Sequence, residues 1–171
     1  LDTLRFNNAM ESAYESGLIV DAAISQSEAD CHNFWSLRDD VEQTMHGGAP
    51  FIFDISLPIA EMESYASTLA REMGPAIGEH KLWIFGHLGD GNLHVVVQVK
   101  PEDYLRLRPA VEQQVYAPLA GFQGSVSAEH GIGLEKKPYL HISRNENELQ
   151  LMRILKAALD PSGVLNPGKI F

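Results

Sequence analysis

Two histidines flank a short glycine-rich turn, and their spacing suits the binding of a metal ion. The segment is Gly-His-Leu-Gly-Asp-Gly-Asn-Leu-His, residues 86–94. An Asp-Gly pair favours a two-residue type I′ hairpin turn, which would place His87 directly opposite His94. Side chains opposed in this way share a face, with Cβ atoms about 4.5–5.5 Å apart, so both imidazoles could bind one ion. Two alternatives stay open: the histidines could be ordinary surface or core residues, or a bulge at the glycines could change the register.

A glutamate and a third histidine further along offer the groups that a two-histidine site lacks. They lie in Ser-Ala-Glu-His-Gly-Ile-Gly, residues 127–133. A catalytic zinc site usually takes three protein ligands and leaves one position open, so Glu129 would complete the set with His87 and His94. His130 would be a general base, because histidine is the side chain whose ordinary pKa lies nearest neutral pH. The alternative is a solvated Glu-His pair at a turn.

Other catalytic templates do not match. The inverted His-x-x-Glu-His motif would need a histidine where Val126 stands, and the glycines of residues 86–91 have the wrong spacing for a dinucleotide loop. Arg38 follows an aromatic helix stripe and could hold a substrate carboxylate through two hydrogen bonds. The alternative is an exposed arginine on a solvated helix.

The periodicity of apolar residues predicts the elements that would position these groups. We expect helices over residues 4–16, from Ser27 to Gly47-Gly48, from Met62 to Gly74-Pro75, over 101–116 and after Asn145. We expect strands over residues 18–25, 51–57, 81–87 and 92–100. Phe51, Phe53, Ile55 and Leu57 would share the buried face of their strand, and the histidines would lie on the face away from Val95 and Val97.

The predicted hairpin implies antiparallel pairing, so the fold class expected is α+β, with helices on one face of an antiparallel sheet and a C-terminal helix and extended tail. The 171 residues suit a single domain, 1–171. A formal net charge of −10 argues against nucleic acid as a partner. Cys31 is the only cysteine, and the sequence has no signal or transmembrane segment, so we expect a cytoplasmic protein. The start at Leu1 suggests a piece of a longer polypeptide.

Three motifs in order resemble one family: residues 86–94, residues 127–133 and the tail Leu-Asp-Pro-Ser-Gly-Val-Leu-Asn-Pro-Gly-Lys-Ile-Phe, residues 159–171. Together with residues 34–38 and 54–58 they are similar to the C-terminal domain of the FAD-linked oxidases that include D-lactate, glycolate and D-2-hydroxyglutarate dehydrogenases. The resemblance implies a ferredoxin-like fold and a missing FAD-binding domain in the same polypeptide. It also implies oxidation of a small 2-hydroxy acid to a 2-oxo acid, with electrons passed to an unidentified acceptor; a homodimer is left open.

The resemblance also implies roles for individual residues. His87, His94 and Glu129 would bind a divalent metal, zinc or manganese, and His130 would take the proton of the substrate hydroxyl. Substrate binding falls to Arg38 and Asn92, and contact with FAD to Asn166. The isolated fragment would then be inactive.

Three positions depart from the members that act on 2-hydroxyglutarate. Ile52 stands where those look to have lysine, Glu42 where they tend to have threonine, and Val96 where they have asparagine. These positions serve the distal end of the substrate, so we expect a monocarboxylate, D-lactate-like 2-hydroxy acid. A non-catalytic metal-binding or assembly module of the same fold is the alternative function, and a flavoprotein of other chemistry, which would lack this hairpin, is a third.

Overall fold

The sequence folds into helices and a small sheet in a computed structural model that describes residues 2–171. The helices are α1 (Asp2–Glu15), α2 (Glu28–Asp39), α3 (Met62–Ile77), α4 (Tyr104–Tyr116), α5 (Leu140–Ser143) and α6 (Glu146–Leu159). The strands are β1 (Ala49–Ser56), β2 (Lys81–His87) and β3 (Asn92–Val99). The described chain divides into two compact units, one ending at Val41 and the other comprising Glu42–Phe171. None of the helices described is long and apolar enough to cross a membrane.

The unit that ends at Val41 contains α1, α2 and the irregular chain between them. The side-chain oxygen of Ser27 accepts the N–H of Asp30 at 3.1 Å, which confirms the predicted start of α2. The strand predicted over residues 18–25 is wrong, because this stretch forms bends and irregular chain. A strand needs a neighbour to satisfy its backbone groups, and none of the described strands pairs with it. The helix predicted to reach Gly47 also ends early, at Asp39, and a 3₁₀ helix, Val41–Met45, follows.

The sheet of the second unit has the order β1-β3-β2, and both pairings are antiparallel. The chain passes from β1 through α3 to β2, so β3 lies between two strands that are separated by a helix in sequence. This is the strand order of a ferredoxin-like arrangement, and it confirms the predicted α+β class. On the free edge of β1, Ser56 and Ser125 exchange backbone hydrogen bonds of 3.0 and 2.7 Å, where a fourth strand of such a fold would lie.

Helices α3 and α4 cover one face of the sheet, as predicted. The alternation in β1 holds, because Phe51, Phe53 and Ile55 are all buried in this core. The Tyr65 hydroxyl of α3 donates a 2.8 Å hydrogen bond to the Val115 carbonyl of α4, which ties the two helices together.

Two helix ends bear on the predictions. The end of α3 predicted at Gly74-Pro75 is wrong, because the helix continues through Pro75 to Ile77. Gly78 caps it, and the Gly78 N–H donates to the Gly74 carbonyl. Proline removes one donor but tolerates helical φ, so the last turn can form around it. The predicted cap of α6 is confirmed, since Asn145 and Glu148 form a reciprocal capping box.

Candidate functional site

The face of the sheet opposite α3 and α4, here called the open face, carries the predicted histidines. Its side chains form cross-strand rows, which from one end of the sheet are Ser56–Asn92–His87, Asp54–His94–Phe85 and Ile52–Val96–Trp83. His87 and His94 therefore lie in adjacent rows, and their ring centroids are 5.4 Å apart. The predicted pairing of His87 with His94 is wrong, since His87 pairs with Asn92. The two histidines still share a face, because diagonal neighbours across an antiparallel pair do so.

The hairpin connection has four residues rather than two, and Gly91 explains why. A 3₁₀ turn, Leu88–Asp90, precedes Gly91, which has the left-handed φ of 76°. A type I′ turn would need positive φ at Asp90 as well, and Asp90 does not have it. A Cβ at position 91 would lie 2.2 Å from the Leu57 carbonyl oxygen, and the Leu57 N–H donates to the Gly91 carbonyl at 2.9 Å. The turn is therefore folded against the end of β1.

The second motif reaches the open face as a loop over residues 127–131, here called the 127–131 loop. Three successive N–H groups, those of Ala128, Glu129 and His130, donate to the same Asp54 carboxylate oxygen, Oδ2, at 3.2, 2.9 and 2.9 Å. Asp54 lies on β1 in the same row as His94. One carboxylate thus holds Glu129 and His130 beside the histidine hairpin.

Lys136 is a further contact of Asp54 and of the 127–131 loop. Its ammonium lies 3.0 Å from the Asp54 carbonyl oxygen, 3.4 Å from Oδ2 and 3.0 Å from the Ser127 hydroxyl. Burial alone would raise the pKa of the Asp54 carboxyl, but the N–H donors of His130 and Glu129 and the positive charge of Lys136 bring it below its ordinary value. Burial lowers the pKa of the Lys136 ammonium, and the charge of Asp54 partly offsets that effect.

The arrangement brings His87, His94 and Glu129 together, as the sequence predicted. The Nε2 atom of His87 lies 3.7 Å from a Glu129 carboxylate oxygen, and one ligand atom from each of the three residues falls within 4.8 Å of the others. Ligand atoms around a tetrahedral zinc ion lie about 3.3 Å apart, so a small closure of side chains would suffice. The two imidazoles and one carboxylate form a donor set that fits a divalent transition metal.

A second cluster, Asp54, Glu129 and His130, has similar spacing. It suits a metal less well, because the Oδ2 atom of Asp54 already accepts the three loop N–H groups and the Lys136 ammonium. The other carboxylate oxygen, Oδ1, has no hydrogen-bond partner but is buried. The Asp54 side chain is also fully buried. His87 and His94 are therefore the better candidates for metal ligands.

His130 is placed as a base would be. Its side chain is 61% exposed, and its Nδ1 atom lies 3.9 Å from the Asp54 carboxylate, beyond hydrogen-bond distance. Its ring centroid is 6.5 Å from that of His94. Asp54 holds the backbone of His130 rather than its ring, and the imidazole remains accessible to a molecule bound near His87 and His94.

Of the other three predicted residues, Asn92 and Asn166 lie in the same unit as this group but outside it. Asn92 is adjacent to it, paired with His87, but its side chain is buried and neither amide atom has a hydrogen-bond partner. Buried polar groups normally have hydrogen-bond partners, so the Asn92 amide can still donate and accept hydrogen bonds. Arg38 belongs to the unit that ends at Val41, where its guanidinium lies 5.4 Å from the Trp35 ring and bonds Asp39 at 2.7 Å. Its predicted substrate role stays a prediction.

Asn166 lies in the exposed tail with a left-handed φ of 47°. The tail returns to the stretch that follows the 127–131 loop, since the Ile170 N–H donates to the Gly133 carbonyl at 3.0 Å and Lys137 donates to the carbonyls of Gly168 and Phe171. Within residues 2–171, no hydrogen bond, ion pair or ring contact joins Asn166 to His87, His94, Glu129 or His130. Its predicted contact with FAD stays a prediction.

Sequence reasoning missed Asp54 and Lys136. A carboxylate in an apolar strand was the available signal, because an aspartate on a half-buried strand needs several donors. The donors lie 74 to 82 residues away in sequence, so local patterns could not identify them.

Comparison with known proteins gives a consistent result. A family model described as FAD linked oxidases, C-terminal domain, matches residues 2–170. The chain is 36% identical over 171 residues to D-2-hydroxyglutarate dehydrogenase of Stutzerimonas stutzeri (strain A1501), an alignment that covers 94% of this chain and 36% of the relative. It is 40% identical over 162 residues to the mitochondrial D-2-hydroxyglutarate dehydrogenase of Bos taurus, covering 94% of this chain and 29% of the relative. The chain thus spans about a third of the length of these relatives.

Proposed function

Because the chain belongs to the family of FAD linked oxidase C-terminal domains, we propose that it is the substrate- and metal-binding half of a FAD-dependent 2-hydroxyacid dehydrogenase. One observation carries the proposal: three metal-type ligands, His87, His94 and Glu129, meet beside a base, His130, that is not in the ligand set. The names of the relatives, which are 2-hydroxyacid dehydrogenases, support the same reaction class.

His87, His94 and Glu129 would hold a divalent cation, zinc or manganese, which would supply Lewis acidity toward a hydroxyl oxygen and a fixed point for the adjacent carboxylate. Both imidazoles are half-buried and Glu129 is exposed. The three side chains are therefore accessible from solvent, so a small acid could reach them.

His130 would accept the hydroxyl proton of the substrate. Proton transfer requires the imidazole within about 2.6–3.2 Å of the hydroxyl, and the exposed ring beside His94 can reach a hydroxyl held there. FAD, bound by another domain, would supply the acceptor for the two electrons that leave the substrate carbon. Loss of a proton and a hydride converts the 2-hydroxy acid into a 2-oxo acid.

The row beside His94 favours a substrate with an apolar side chain. It consists of Ile52, Val96 and Trp83; Ile52 is 53% exposed and Val96 is buried. Lys136 is buried and paired with Asp54, so its charge is already compensated. The next cation on the strands of the open face is Lys81, which pairs with Gln98, four residues beyond His94 or roughly 13 Å along the strand. That distance is too long for the second carboxylate of 2-hydroxyglutarate, the compound in the relatives' names. We therefore propose a D-lactate-like monocarboxylate.

A substrate panel on the full-length protein tests this. We expect kcat/KM for D-lactate to exceed that for D-2-hydroxyglutarate. In the Ile52→Lys variant, a cation beside His94 should shift the ratio toward D-2-hydroxyglutarate by about tenfold or more, since a charge-assisted hydrogen bond contributes about 1.5–3 kcal/mol.

The matched control is Leu105→Lys, which adds the same charge at an exposed position of α4, an element on the other side of the sheet. It should leave the ratio unchanged. A wild-type preference for D-2-hydroxyglutarate would contradict the proposed substrate while leaving the reaction class intact.

A further inference from the structure

Asp54 is a charged side chain buried on the open face, surrounded by backbone N–H groups and an ammonium group. Its relative exposure is 1%, yet the strand residues on either side of it in its own face, Ile52 and Ser56, are not buried. The 127–131 loop covers it. Successive backbone N–H groups converging on one anion form a cradle that stabilises negative charge.

The anion has a buried counterion, because Lys136 is itself 8% exposed and its ammonium contacts both the backbone and the side chain of Asp54. Lys136 also donates to the Ser127 hydroxyl, at the start of the same loop. Removing one partner of such a buried pair leaves the other charge uncompensated. The two side chains therefore act together on one segment of backbone.

We propose that Asp54, together with Lys136, is a positioning residue that sets the distance of Glu129 and His130 from His87 and His94. This inference rests on the proposed function, since it assigns a role relative to the metal ligands and the base. Its physical basis is that a single atom, Oδ2, fixes the backbone nitrogens of both Glu129 and His130 at 2.9 Å. The same β1 residue is paired with His94, so ligands from two distant parts of the chain share one rigid reference.

A purely structural role is the competing explanation, and metal affinity distinguishes the two. Groups that orient metal ligands typically change metal affinity by about 10–100-fold when they are removed. A carboxylate that only stabilises the fold should change the unfolding midpoint without changing the affinity of the folded protein.

The chain offers a matched control in Asp160. This carboxylate is also buried, accepts the backbone N–H groups of Val164 and Leu165 at 3.0 and 2.9 Å, and is paired with Lys156. It thus resembles Asp54 in burial, hydrogen bonding and counterion. Within the part of the chain that the structure describes, it forms no hydrogen bond or ion pair with the 127–131 loop. The variants to compare in the full-length protein are Asp54→Asn, Lys136→Met and Asp160→Asn.

Zn²⁺ affinity, measured by competition with a chromophoric chelator, should fall about 10–100-fold in Asp54→Asn. Lys136→Met should weaken it less, and Asp160→Asn should leave it unchanged. In the metal-free protein, hydrogen exchange at the amides of residues 128–130 should be faster in Asp54→Asn than in wild type. In Asp160→Asn it should be unchanged. If Asp54→Asn does not fold, Lys136→Met decides between the two explanations.

Faster exchange at these amides with Zn²⁺ affinity kept within about threefold would overturn the inference, because the loop would then be loosened without consequence for the ligands. Failure of the proposed function has a different signature. In that case the wild-type protein would bind no Zn²⁺, or His87→Ala would bind it as tightly as wild type, although the amides of residues 128–130 remained protected.

Discussion

Glu129 and His130 are consecutive residues to which we assign different tasks, one as ligand and one as base. Their local motif could be predicted from the sequence, because residue type and the adjacent glycines suggested the chemistry. The contacts of Asp54 and Lys136 could not, because they arise only when β1 and a loop more than 70 residues away are brought together. Residues that could bind a metal or accept a proton are therefore easier to predict from this sequence than the residues that hold them in place.

The proposed division of tasks predicts the behaviour of a His130→Gln variant. Glutamine cannot accept the hydroxyl proton as a base, so the rate of flavin reduction by D-lactate should fall by about 10²–10⁴-fold. Zn²⁺ affinity should stay at the wild-type value, because His130 lies outside the ligand set.

Anaerobic stopped-flow spectroscopy of the full-length protein measures the first quantity, and chelator competition the second. His141→Gln is the control, since His141 is exposed on α5 and should change neither. Unimpaired flavin reduction in His130→Gln would rule out His130 as the base.

At the scale of elements, the hairpin shows why a face can be predicted more securely than a register. Alternation along β3 placed His94 away from Val95 and Val97, and both valines are fully buried. The register depended on the turn, and Asp90-Gly91 forms only the end of a four-residue connection. The contact that decides this is the approach of Gly91 to Leu57, which lies at the end of another strand.

The close approach of Gly91 predicts a large effect of a small substitution. Gly91→Ala would place a methyl group 2.2 Å from the Leu57 carbonyl oxygen at a φ of 76°. The free energy of unfolding should therefore fall by about 1–3 kcal/mol or more. Gly89→Ala, in the same turn, meets no atom within 4 Å and should change it by less than about 0.5 kcal/mol.

Urea denaturation followed by circular dichroism measures both variants. Equal midpoints for Gly91→Ala and Gly89→Ala would show that the turn does not pack against the end of β1.

The wrong prediction of a strand over residues 18–25 has a related cause. An apolar stretch shows that a segment could pair in a sheet, but not whether a partner strand is available.

At the scale of the whole molecule, α3 and α4 cover one face of the sheet. The candidate metal ligands lie on the other face. The α+β class followed from the order of predicted elements, and the three-stranded antiparallel sheet with its helices agrees with it. Relatives about three times as long as this chain indicate where the rest of the proposed site would come from. In the proposed function, the open face would supply the three metal ligands, the base His130 and an apolar row of side chains.

The most direct test of the account is flavin reduction by D-lactate in the full-length protein, compared before and after metal removal. We predict that the metal-free protein keeps its flavin spectrum but reduces the flavin about a hundredfold more slowly or worse, and that added Zn²⁺ or Mn²⁺ restores the rate. His94→Ala should show the slow rate even with metal added. A protein without flavin would support the alternative of a metal-binding module, and a rate unchanged by metal removal would contradict the role assigned to His87, His94 and Glu129.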